Sequence, residues 1–229
     1  YSHDAYARNN MLYSSEILAG RFSIFDVTDK LEPIKLGEQT TPFEFCHNTW
    51  LSDDGNILFT TDERANASTA AYNISDPTEI RYLDEYRPAA TLGTGVIPHN
   101  VHVLGNFLVI SHYSDGCIIV DATQPDNLVE VGQFDTFAGT DTGFNGDWGA
   151  YPYLPSGLIL ASDITGGLFV LQADFKRAAY LEGKITNAEN GVGILDATIR
   201  IQSNIDNFEK SAVESLLKIA FISENIESV

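Results

Sequence analysis

Basic side chains are scarce in this sequence: Lys and Arg number 13 against 32 Asp and Glu in 229 residues, a formal net charge of -19. A surface of that sign repels phosphate backbones and anionic lipid, which disfavours nucleic acid and membrane-surface partners. Cations and neutral glycans suit it better, and solubility in a salty medium is the other use of such charge. Long apolar runs are missing too, since no stretch approaches the ~20 residues of a membrane-spanning helix. Cysteine is nearly absent. Cys46 and Cys117 cannot build a disulfide framework and read as small buried hydrophobes, so they leave the compartment open. Also missing are a Gly-x-Ser-x-Gly elbow, a zincin His-Glu-x-x-His, a P-loop and a dinucleotide fingerprint, which removes the enzyme classes those motifs announce. No charged-then-apolar leader opens the chain. It starts at Tyr1, two residues before a repeat unit, and this reads as a processed chain or a piece of a longer one, so the missing leader does not weigh against secretion.

What the sequence does have is a repeat. Units open at His3 (HDAYAR), His47 (HNTWLS), His99 (HNVHVL) and Asp147 (DWGAYP), spaced 44, 52 and 48 residues apart. In each, a second apolar run ends on Ser or Thr plus an ionisable residue: Ser15-Glu16, Thr61-Asp62, Ser111-His112 and Ser162-Asp163. A third run (RFSIFDVT, TAAYNIS, CIIVDAT, GLFVLQA) closes on Asp26, Asn73, Asp121 and Gln172. These runs are short and rich in β-branched and aromatic residues, and Asp-Gly, Gly-Asn and Asp-Pro pairs separate them, which is hairpin chemistry. Each unit therefore reads as a four-stranded antiparallel meander. Its strands are apolar on both faces, so one meander must stack on the next around an axis, and the period is that of a β-propeller blade.

The expectation is an all-β chain: a partial β-propeller of about four four-stranded antiparallel blades over 1–175, followed over 176–229 by an incomplete β-sandwich segment. Four blades close only a very small ring, so the remaining blades are expected outside this sequence, with two apolar blade faces left uncovered. The charge divides at the same boundary. Residues 1–175 carry 24 acidic and 7 basic side chains, whereas 176–229 carry 8 and 6. Within the second part, Ala197 to Ile201 alternates as a strand, and Glu209 to Ile222 fits helix or strand equally.

The third-strand signature, SIFDVT at 23–28, AYNIS at 71–75 and IIVDAT at 118–123, resembles the LVIVD-repeat proteins. Together with the His-Asp and His-Asn openings and the small following domain, it is similar to the choice-of-anchor B family of bacterial surface and secreted proteins. Gly183, Ile185, Gly191, Ala197, Thr198 and Ile199 resemble the start of a carboxypeptidase-regulatory-like β-sandwich, whose later Gly-x-Tyr strands are missing from 204–229. The resemblance implies export to the cell surface or medium and a non-enzymatic binding or adhesion role, with a protein or glycan as the partner.

One constellation could carry chemistry. Inner strands line a propeller axis, so His3, His47, His99 and Asp147, at equivalent strand starts, converge there. Glu16, Asp62, His112 and Asp163 join them if each hairpin brings both positions to one rim. Imidazoles and carboxylates in that number suit a divalent cation such as Zn, Mn or Fe, and a metal-dependent, hydrolase-like enzyme is the second functional reading. The competing reading is structural: repeated residues usually serve the repeated fold, each imidazole bonding the neighbouring blade. Asp62 and Glu63 are adjacent in a strand and point to opposite faces, so only one of the two can reach the axis. His102 reads as a packing residue. Trp50, Trp148, Tyr151 and Tyr153 fit blade-to-blade filling or a carbohydrate platform. Two features remain: Asn66-Ala67-Ser68 matches a glycosylation acceptor, and the long loop Phe134 to Gly146 exceeds what a hairpin needs.

Overall fold

Residues that are β-branched or aromatic at every position, not at alternate ones, bury both faces of a strand, and this pattern builds the first part of the chain. The computed structural model describes residues 1–140, 142–194, 198–202, 207–211 and 216–222. It separates into two compact units, Tyr1–Lys176 and Arg177–Val229. The first sheet is β1 (Asp4–Arg8), β2 (Met11–Glu16), β3 (Arg21–Asp26) and β4 (Ile34–Thr40). The second is β5 (Cys46–Leu51), β6 (Ile57–Asp62), β7 (Thr69–Asn73) and β8 (Arg81–Tyr86). The third is β9 (Asn100–Leu104), β10 (Phe107–Ser111), β11 (Cys117–Asp121) and β12 (Val129–Phe134). In the fourth, β13 (Asp147–Tyr151), β14 (Ile159–Asp163) and β15 (Gly167–Leu171) make a three-stranded meander. All neighbouring strands are antiparallel and consecutive, so the expected blades are present. Among the described residues the fourth blade has three strands, not four; after it comes β16 (Ala178–Lys184) of the second unit, which pairs with β19 (Leu216–Ile222).

The core lies between the blades, and strand parity decides who joins which layer. Phe22 and Ile24 of the first blade meet Leu58, Ala70 and Tyr72 of the second. The intervening Phe59 and Ala71 point the other way, against Val101, Leu108, Ile110, Ile118 and Val120 of the third. Val109, Cys117 and Ile119 in turn face Ala150, Ile159 and Ala161 of the fourth. The uninterrupted apolar runs seen in sequence are thus two interleaved faces, each filling a different seam. Both cysteines are buried and unpaired among these residues. On β15, Leu168 and Val170 are exposed.

Two small devices repeat with the blades. The residue closing the third strand caps the turn that follows: Asp26, Asn73 and Asp121 accept from the amides of Thr28, Ser75 and Thr123 at 2.7, 3.0 and 2.8 Å. The next amide, of Val27, Ile74 or Ala122, donates to Asn10, Asn56 or Asn106 in the first hairpin, 2.8 Å each time. In the outer strand the register slips by one residue opposite Ile24/Phe25, Ala71/Tyr72 and Ile119/Val120, a bulge that increases blade twist.

In the second unit β17 (Thr198–Gln202) pairs with β18 (Asn207–Ser211). The end of the segment that fitted helix or strand equally is the strand β19. The rest of the expected β-sandwich falls on residues outside those described. Among the described residues no helix is long and apolar enough to cross a membrane.

Candidate axial site

The inner strands β1, β5, β9 and β13 are neighbours in succession. At β5 the pairing runs Cys46 with Asp62 and then Asn48 with Thr61, leaving His47 as the extra residue of a bulge. At β13 it runs Asp147 with Asp163 and then Gly149 with Ser162, so Trp148 takes the same place. In the other two blades His99 donates its amide to Ser111 O at 2.9 Å, and His3 donates to Ser15 O at 2.7 Å, which puts both at the equivalent position. The fourth member of the tier is therefore Trp148. Asp147 lies one residue behind it, aligned with Cys46, because the bulge residue and not the strand's first residue faces the axis.

The three imidazoles form an arc. Ring centroids are 4.5 Å apart for His3 and His47 and 4.4 Å for His47 and His99. His47 Nδ1 lies 3.1 Å from His99 O, and His99 Nδ1 bonds Trp148 O. A carbonyl only accepts, so both Nδ1 atoms carry the proton. The lone pairs then sit on Nε2, and Glu63 lies in front of them. His47 Nε2 is 3.6 Å from Glu63 Oε2, and His99 Nε2 is 3.7 Å from Glu63 Oε1. These separations are too long for hydrogen bonds. They match the ligand spacing of a tetrahedral ion, in which two donors at ~2.0–2.1 Å from the metal stand about 3.4 Å apart. One ligand atom from each of His47, Glu63 and His99 can be drawn with all three within 4.8 Å of one another, a group able to hold a metal ion.

The electrostatics suit that use. Burial depresses the His99 pKa to about 3, with neighbouring His47 adding to the shift. Burial also lowers His47, against the pull of the Glu63 carboxylate. Both rings are neutral at pH 7, as metal ligands must be. Tyr113 donates its hydroxyl to Glu63 Oε1 at 2.6 Å, and burial together with that carboxylate raises the phenol far above its ordinary value.

The remaining residues expected at the axis sit behind it. Asp62 is fully buried and accepts from Thr41 Oγ1 at 2.5 Å and from the Phe43 and Phe45 amides at 2.9 Å each, clasping the link between the first two blades. Asp163 repeats the clasp on Thr136 Oγ1 at 2.7 Å and also accepts from Thr165 and Gly166. Glu16 pairs with Arg21 at 2.8 Å. His112 is buried with Nδ1 3.4 Å from Asp115, and burial lowers its pKa to about 4. Asp147 is buried with no full hydrogen bond to either carboxylate oxygen, and its pKa is pushed up to about 8, mainly by burial. Of the eight expected residues, the axis gathers His3, His47 and His99. The position after these strand ends reads Ile17, Glu63, Tyr113 and Ile164, and in the two middle blades it reaches the axial group. The adjacency of Asp62 and Glu63 leaves only one of them able to reach the axis, and that one is Glu63; Tyr113 shows in the sequence only as a break in the repeat, a polar residue where two other units have isoleucine.

The aromatic residues form a second tier. Trp50 packs on Tyr6 and His102 with centroids 4.5 and 4.6 Å apart, and Tyr153 stacks on Trp50 at 5.9 Å. The Asn66 side chain accepts from the Gly95 amide at 2.8 Å, and Ser68 is buried, so this acceptor-like triplet is used in packing the linker that follows β8.

No family model matches the chain, and no curated protein matches it in sequence. Solved structures do match. The periplasmic gluconolactonase of Pseudomonas aeruginosa superposes with a TM-score of 0.58 at 14% identity, over 96% of this chain and 57% of that one. A Bacteroides uniformis protein with the provisional name 6-phosphogluconolactonase gives 0.59 at 13% identity, over 96% and 58%. The β-propeller domain of Cps50 (Swd1) from Myceliophteria thermophila gives 0.50 at 12% identity, over 69% and 46%. The chain thus spans less than three fifths of the length of the first two. At these identities the likeness establishes the fold, a β-propeller. It also corrects the expectation of a non-enzymatic adhesion module: propellers that match over 96% of the chain are described as lactonases. Of the two readings drawn from the sequence, the hydrolase-like one is the one those names agree with.

Proposed function

We propose that the axial group binds one divalent cation and that the chain is a metal-dependent hydrolase of cyclic esters. The observation that carries this reading is the pair of imidazoles whose Nδ1 protons are tied to the next blade's carbonyl, so that both Nε2 lone pairs converge on Glu63. A histidine that donates its second nitrogen to a backbone carbonyl is the usual support for a metal ligand. The same contact satisfies the structural reading, since each imidazole does bond its neighbouring blade, but packing alone leaves the facing Nε2 atoms unexplained. The ester class is suggested by the descriptions of the two lactonase propellers.

A cation held by His47, Glu63 and His99 would supply an acidified water and polarise an acyl oxygen. The chain's own residues do the rest. The carbonyls of His99 and Trp148 fix the two rings, burial keeps them neutral, and the Tyr113 hydroxyl orients the Glu63 carboxylate. Hydrolysis consumes one water: its oxygen bonds the acyl carbon, the ring C–O bond breaks, and the departing alkoxide is protonated.

The test is equilibrium dialysis against Zn and Mn followed by a lactone hydrolysis assay. About one equivalent of metal, lost in His99→Ala and in Glu63→Gln, with hydrolysis abolished by chelator and restored by metal, is the expected result. Wild-type protein that stays metal-free at micromolar Zn and Mn overturns the reading. Bound metal also stabilises the fold, by about 2.7 kcal/mol at a hundredfold excess over Kd.

A further inference from the structure

Resting on that reading, we propose that His3 is the fourth ligand of the cation, and the one that gives way to water or substrate. His47, Glu63 and His99 leave one position of a tetrahedral ion unfilled. His3 holds the place on one side of His47 that His99 holds on the other. Its amide donates to Ser15 O at 2.7 Å, as that of His99 does to Ser111 O at 2.9 Å. Its ring centroid lies 4.5 Å from that of His47, against 4.4 Å for His99. A third imidazole therefore stands at the edge of the group, with a nitrogen of the kind that binds Zn.

What separates His3 from the other two imidazoles is its support. Between the second and third blades, His99 O receives His47 Nδ1 and also Thr61 Oγ1, the latter at 2.5 Å. Between the third and fourth, Trp148 O receives His99 Nδ1 and also Ser111 Oγ, the latter at 3.2 Å. Between the first and second the pattern changes in both bonds. Ser15 Oγ turns to Thr49 Oγ1 at 3.5 Å, and among the described residues the His3 ring makes no hydrogen bond. The carbonyl that the pattern assigns to that ring is His47 O of the second blade, so the difference arises within the four blades. Outer-shell bonds orient a ligand and strengthen its hold on the metal. Glu63 has such a bond from Tyr113, and His47 and His99 have theirs to the next blade's carbonyl. His3 alone turns about its side-chain bonds without breaking a second contact of this kind. Three supported ligands keep the metal while the unsupported one exchanges with an incoming oxygen, which makes the site closed at rest and open in turnover.

The sequence has five histidines, few enough for each ring to be followed by imidazole nitrogen NMR of the labelled wild-type chain. One equivalent of Zn should move a ring nitrogen of His3, His47 and His99 into the metal-bound range and leave His102 and His112 in place. Saturating azide, a small anion that takes an open metal position, should then return His3 alone to its metal-free shift. In competition against a chromophoric chelator, His3→Ala should still bind one Zn, about tenfold more weakly than wild type, whereas His99→Ala should lose it. Three results overturn the inference and leave the cation reading standing. They are a His3 signal that ignores Zn while those of His47 and His99 respond, one that stays metal-bound in azide, and a His3→Ala affinity equal to wild type. If no ring responds to Zn, the cation reading itself falls and the role of His3 falls with it.

Discussion

Tyr113 concentrates the site's demands in one residue. Its backbone sits at a φ of 36°, a left-handed conformation that a bulky side chain adopts only when its surroundings impose it. Here the imposition is visible: Tyr113 N donates to Asp147 O at 3.0 Å and Asp147 N donates back to Tyr113 O at 2.8 Å. Gly146, at a φ of 98°, makes this approach possible, because a Cβ there would stand 2.2 Å from Tyr113 O. The strain delivers the phenol to Glu63. Tyr113→Phe keeps the ring contacts and deletes only that hydroxyl, so the apo fold should stay within about 1 kcal/mol of wild type while metal affinity weakens roughly 10–100-fold. Competition against a chromophoric chelator measures this. An unchanged affinity would mean that Glu63 needs no support from the phenol.

At the scale of the elements, Asp62 and Asp163 at the second-strand ends each clasp the link that joins their blade to the one before, beside the apolar seams. Asp62 collects three donors from the link between β4 and β5, and Asp62→Ala removes that shared acceptor. Thr41 Oγ1 can turn to Gly20 O, 3.3 Å away, and the Phe43 and Phe45 amides are part-buried, so the loss should be about 2 kcal/mol in urea unfolding, and smaller in Asp62→Asn, which keeps one acceptor oxygen. A cost below about 1 kcal/mol for the alanine variant would remove the clasp from the account. This division of labour also explains what the sequence could and could not disclose. Strand positions, blade count and the convergence of His3, His47 and His99 follow from periodicity, because a repeated fold repeats its apolar pattern and its turns. The chemistry does not repeat. Glu63 and Tyr113 occur in two blades only, and Trp148 replaces the histidine of the other three, so a search for recurring polar residues selects Asp62, Asp163 and Asp147, which serve the framework. The bulges at His47 and Trp148 compound the difficulty: one extra residue changes which of two neighbours faces inward, and local sequence does not mark where the ladder slips.

Across the whole molecule the buried titrating groups oppose one another. His99, His102 and His112 are depressed to about 3, 4 and 4, each mainly by burial. Below pH 6.5 the unfolded chain binds protons that these folded imidazoles refuse, so their contribution is complete above 6.5 and is lost as pH falls toward 4. Asp115 and Asp147 run the other way. Their folded pKa values of about 6 and about 8 keep protons that the unfolded chain has released, so their contribution is present near pH 4 and is lost as pH rises through 6 and through 8. Above pH 6.5 only Asp147 of these five still changes, at up to about 1.4 kcal/mol per pH unit. In chelator, stability should therefore peak near pH 6–6.5 and decline toward pH 8. Exposed charges add their own slope, but they are shared by a variant and cancel in the difference. Asp147→Asn, neutral at every pH, should remove the decline between 6.5 and 8 and steepen the fall between 6.5 and 4. Melting temperatures of the two proteins across pH 4–8 test this. Parallel curves would mean that Asp147 ionises in the folded protein as it does in the unfolded chain, and that a donor absent from its surroundings here satisfies its carboxylate.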